Sequence, residues 1–146
     1  MTQRCSEVSF TTVKEFFLQY PFAICVVVML LSEATKHTIE RIVRKVWFQH
    51  GGMPSSHSAF VTSLLMVVGM RDGLGSTEFA IATVLAGIVW YDAAFVRRQV
   101  GKQAKILNLL QEWQDFSERV GNSIAEVCGG IAFGALVTLW LQGWIT

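Results

Sequence analysis

Residues 51–60 read GGMPSSHSAF, small and hydroxyl residues around a single imidazole at the threshold of an apolar stretch. Pro54 suits a helix start, and Ser55 or Ser56 can cap the unpaired amides that follow. Such amides, at the positive end of a helix dipole, attract an anion and phosphate above all. His57 adds a titratable group at the same place. The dipole disfavours its protonated form, so an anionic partner is needed to hold the acid. Held so, a histidine passes a proton to a leaving oxygen, typically worth about 10²–10⁴ in rate. The same residues also make an ordinary cap with an incidental histidine, so the stretch needs company.

Other segments supply it. Lys36 closes the first apolar stretch, and Asp92 sits about four residues inside the end of the third, at a depth where a carboxylate is costly unless paired. Arg97 and Arg98 follow, with Lys102 one helical turn beyond Arg98 on the same face. Arginine offers phosphate a planar fork and lysine a point charge. Taken alone, these cations read more readily as a basic flank anchoring the helix in anionic headgroups. Asn122 and Glu126, in RVGNSIAEV, precede the last apolar stretch.

The elements that must position these groups are hydrophobic. The chain of 146 residues is 52% apolar and 16% charged, with mean hydropathy +0.44, which points to a membrane. Four apolar stretches stand out at 16–31, 58–70, 79–96 and 127–145. A spanning helix needs about 20 residues, so the third and fourth qualify, the first does with its polar flanks, and the second is marginal. No run alternates between tight turns as a strand would. Gly130 and Gly134 allow close helix approach, and Trp140 and Trp144 suit an interface. Residues 106–120 carry Ile106, Leu109, Leu110, Trp113, Phe116 and Val120 at near-helical spacing, which predicts an amphipathic helix along the interface. We therefore expect one all-α domain over 1–146, a multi-pass transmembrane bundle of about four spanning helices plus an interfacial helix.

With four spans, Arg4, Lys14 and Arg71 fall on one side. Lys36, Arg41, Arg44, Lys45, Arg97, Arg98, Lys102, Lys105 and Arg119 fall on the other, which the positive-inside bias places in the cytoplasm. The polar start of the chain, without a small-residue cleavage site, reads as mature protein rather than a cleaved signal. Net charge is only +1, so bulk charge implies no nucleic-acid partner. Cys5, Cys25 and Cys128 have no metal or disulfide spacing and read as packing residues.

Together, GGMPSSHSA, VWYDAAFVRRQVGKQAKILN and RVGNSIAEVCGG resemble the divergent membrane branch of the type 2 phosphatidic acid phosphatase superfamily, related to acid phosphatases and vanadium-dependent haloperoxidases. The resemblance covers about residues 22 to 141. It implies hydrolysis of a phosphate monoester, here of a phosphorylated lipid, with no metal and no cofactor. It also implies that His57 protonates the leaving group, that Ser55 and Ser56 hold phosphate, and that Lys36, Arg97 and Arg98 neutralise it, with Asp92 and Lys102 in support. The branch usually carries Leu-Gly-His at the third motif, the histidine being the nucleophile, with a glutamate four positions on. Here the segment gives Val120, Gly121, Asn122 and then Glu126. An amide cannot replace imidazole as a nucleophile. Three accounts stay open: catalysis lost with phosphate binding kept, attack by a water activated by Glu126, or chemistry that never used this motif. The alternative to an enzyme is a protein that binds phospholipid headgroups for transport or scaffolding. Membrane lipids are the expected surroundings, and a homo-oligomer is left open.

Overall fold

The computed structural model describes residues 14–44, 52–111, 113–118 and 120–145; Arg4, Cys5, Lys45 and Arg119 lie outside them. Among these residues there are helices and connecting turns and no strand. A short helical lead-in over 14–19 stops at Tyr20, and Pro21 then begins α1 (Phe22–Ile39). Proline lacks the amide needed to continue a helix but fits the start of one. One turn of π-helix, Glu40–Arg44, extends α1. Helix α2 (Ser56–Asp72) ends at Gly73, whose φ of 87° is open to glycine without strain. Ser76 caps α3 (Thr77–Tyr91) by accepting from the Phe79 amide at 3.1 Å. A second π turn, Asp92–Val96, joins α3 to α4 (Arg97–Leu110), and α5 (Ile124–Ile145) closes the bundle.

Helix α2 is the centre, packed against α1, α3 and α5. Ile24, Cys25, Val28, Ala59, Val67, Leu141 and Ile145 form the main core across α1, α2 and α5. Among the described residues, three helical runs are long and apolar enough to cross a membrane: Phe22–Ile42, Thr77–Leu110 and Ile124–Ile145. The remaining helix, α2, has 17 residues, about 26 Å at 1.5 Å per residue. The shortest apolar run is thus the one shielded by the other three. Cys25 is buried, Cys128 is exposed, and both are free thiols.

Helix α5 approaches α2 closely through Gly130 and Gly134, as their spacing predicts. A Cβ on Gly134 would lie 2.5 Å from the Ala59 carbonyl oxygen, and one on Gly130 would collide with that of Ser55. Gly134→Ala is expected to force the helices apart and destabilise the bundle by about 1–3 kcal/mol. Thermal unfolding in detergent checks this, and an unchanged midpoint would mean that the contact has slack.

The interfacial helix differs from its expected bounds. Helix α4 ends at Leu110, so Ile106, Leu109 and Leu110 are helical, while Trp113, Phe116 and Val120 belong to irregular chain. The reason is local. The Asn108 side chain donates to the Phe116 carbonyl at 2.9 Å and accepts from its amide at 2.8 Å, giving the backbone an alternative to the helical ladder. Helix α4 instead continues the third span, making a run of 34 residues over Thr77–Leu110.

Candidate functional site at the junction of three motifs

The three motif segments meet through Asn122 and Ser55, and Ser55 is buried and extended just before α2. Its amide donates to the Glu126 carbonyl at 3.2 Å. Its hydroxyl oxygen accepts from Asn122 Nδ2 at 2.6 Å and from Ser58 Oγ at 3.0 Å. Asn122 in turn donates its backbone amide to the Ala93 carbonyl at 2.9 Å, which ties in the π turn after α3. Groups 67 residues apart therefore share one node.

Gly121 makes that convergence sterically feasible. Its φ is 92°, and a Cβ there would sit 2.6 Å from the Arg98 amide nitrogen and 2.8 Å from Arg97 Cβ. The 120–122 loop thus lies directly on the start of α4. Arg97 Nε donates to Asp92 Oδ2 at 2.5 Å, so the half-buried carboxylate has the partner that its place in an apolar stretch demands. Arg98 and Lys102 are exposed on α4, and His57 is exposed on the first turn of α2.

One expectation needs correction, and one residue has a second role. Neither serine caps α2: Ser55 makes no side-chain cap, its hydroxyl being taken by Asn122 and Ser58, and Ser56 Oγ donates to Glu33 instead. The first-turn amides are therefore left without a hydroxyl cap. Glu126 is occupied too. Its Oε2 accepts from the Ser123 amide at 2.7 Å, while Ser123 Oγ accepts from the Glu126 amide at 3.3 Å. That reciprocal pair is a capping box for α5, and the Ser-x-x-Glu spacing carries the signal for it.

Sequence reasoning missed Glu33. On α1 its carboxylate takes the Ser56 hydroxyl and faces Lys36 Nζ and His37 Nε2, each at 3.4 Å. The signal was the three-residue step to Lys36, which becomes readable once α1 is known to run past residue 31. Beyond it, Gly52 (φ 138°) lies against Glu40 and Lys36, where a Cβ would come 2.5 Å from Glu40 Oε1.

A family model described as "Divergent PAP2 family" matches residues 17–137, which include every site residue named above. The chain belongs to the divergent PAP2 family. It is 34% identical over 152 aligned positions to "Uncharacterized membrane protein YuiD" of Bacillus subtilis (strain 168), covering 87% of this chain and 96% of that relative. No solved structure matches. The apolar spans and the membrane-protein relative make this divergent PAP2 chain an integral membrane protein. In it, uncapped helix amides, an exposed imidazole and exposed cations collect at one end of the bundle. That set can bind an oxyanion and deliver a proton beside it.

Proposed function

We propose that this divergent PAP2 protein is a phosphatase-like membrane protein that takes the phosphate monoester group of a lipid at the Ser55 junction. The site opens on the cytoplasmic side in this reading. Ser55, Ser56, Lys36, Arg97 and Arg98 surround the phosphate, Asp92 and Lys102 support them, and His57 donates the proton to the leaving oxygen. The observation that supports it most is the shared node, where Asn122 holds Ser55 through its side chain and the Ala93 carbonyl through its amide, joining three distant motifs. A structural bundle with a basic rim, whose inter-helix hydrogen bonds serve packing alone, is the competing account.

Arg98→Ala separates these possibilities. It is expected to weaken binding of a short-chain phosphatidic acid by about tenfold, the scale of one charge-assisted hydrogen bond. Lys105→Ala, also exposed on α4, should leave binding near the parent value. Equal losses from both variants would reduce the site to general surface charge and sink the reading.

A second reading, headgroup binding for transport or scaffolding without turnover, is favoured by one observation. Asn122 stands where the family usually has its nucleophile, and its amide is engaged with Ser55. Phosphate release from lipid monoesters distinguishes turnover from binding alone.

A further inference from the structure

We infer that Glu33 is a resident counter-ion in the anion seat, which an incoming phosphate must displace; this rests on the phosphate-binding reading above. Lys36 lies near the end of a spanning helix with its side chain only 14% exposed. An ammonium so placed needs an anion beside it whether or not ligand is bound. Glu33 supplies one. Its Oε1 faces Lys36 Nζ at 3.4 Å, and its Oε2 accepts from Ser56 Oγ.

Those two partners are groups assigned to the phosphate. A carboxylate and a phosphate present the same thing to a hydroxyl and an ammonium, namely anionic oxygens at hydrogen-bond distance. Both anions cannot hold the same proton of Ser56 at once. The Glu33 side chain is 42% exposed, three times as much as that of Lys36, so the carboxylate is the freer of the two to swing aside while the lysine stays. Ligand capture at this site is therefore an exchange of anions. The seat is never an uncompensated charge in apolar surroundings, and every anionic ligand binds more weakly by the same factor.

The test uses the full chain in detergent micelles at pH 8, with short-chain phosphatidic acid as the probe and calorimetry as the readout. Glu33→Gln is expected to tighten binding about tenfold, because a neutral amide competes poorly for Ser56 and Lys36. Glu33→Asp keeps the charge but withdraws the carboxylate by one methylene, and should also tighten binding. A tighter Glu33→Gln beside an unchanged Glu33→Asp would show plain charge repulsion and overturn the inference. Weaker binding in Glu33→Gln would make Glu33 a support for Ser56 and Lys36, which also overturns it. Equal binding by parent and both variants overturns this inference alone. If neither the parent nor Glu33→Gln binds the probe, the phosphate reading itself fails.

Discussion

Alanine at position 57 is expected to cut phosphate release from a lipid monoester by about 10²–10⁴, the usual worth of a positioned general acid. The leaving oxygen departs as an alkoxide and needs a proton as its bond to phosphorus breaks. His57 stands next to Ser56 on the first turn of α2, among the amides that no hydroxyl caps. Because the ring is exposed, the variant should unfold at the parent temperature, so lost turnover would report chemistry rather than folding. Undiminished turnover removes His57 from the mechanism. A parent that releases no phosphate moves the conclusion to binding alone. Asn122→His then asks whether an imidazole is all that is lacking, although it also removes the Asn122 hydrogen bond to Ser55.

The second large effect is expected at Gly121. A side chain there meets two penalties. The φ of 92° disfavours any L residue, and the Cβ would lie 2.6 Å from backbone nitrogen of Arg98. Strain and overpacking each cost about 1–3 kcal/mol. Gly121→Ala should therefore lower the unfolding midpoint and lift the 120–122 loop from α4, taking Asn122 from Ser55 and abolishing ligand binding. Gly73 is the control. Its φ is 87° but nothing lies within 4 Å of the added Cβ, so Gly73→Ala carries the strain without the clash. If the two alanine variants unfold alike, close seating of the loop on α4 is not what holds the junction together.

Much of this architecture was readable from residue patterns, because hydrophobicity and small-residue spacing are local properties. The apolar stretches became helices, and Gly130 with Gly134 marked the tightest approach to α2. Convergence of the motif ends also followed, since alternating spans sort the connections onto two sides. What stayed hidden depends on which partner a polar side chain chooses. Ser55 and Ser56 looked like caps but turn to Asn122 and Glu33. Glu126, offered as the activator of a water in one of three accounts, also closes a capping box. Asn108 ended a stripe that periodicity alone would have continued. Each choice is made by a residue distant in the chain or by competition with the backbone, and neither leaves a periodic trace.

The neighbours of Ser55 and Ser56 also fix how deep the site lies. Gly130 sits beside Ser55, although α5 begins six residues earlier at Ile124. Glu33 sits beside Ser56, although α1 continues six residues further to Ile39. The start of α2 is thus sunk about 9 Å below the ends of its neighbours, at 1.5 Å per residue. A ligand reaching those amides has to pass down between the ends of α1 and α5.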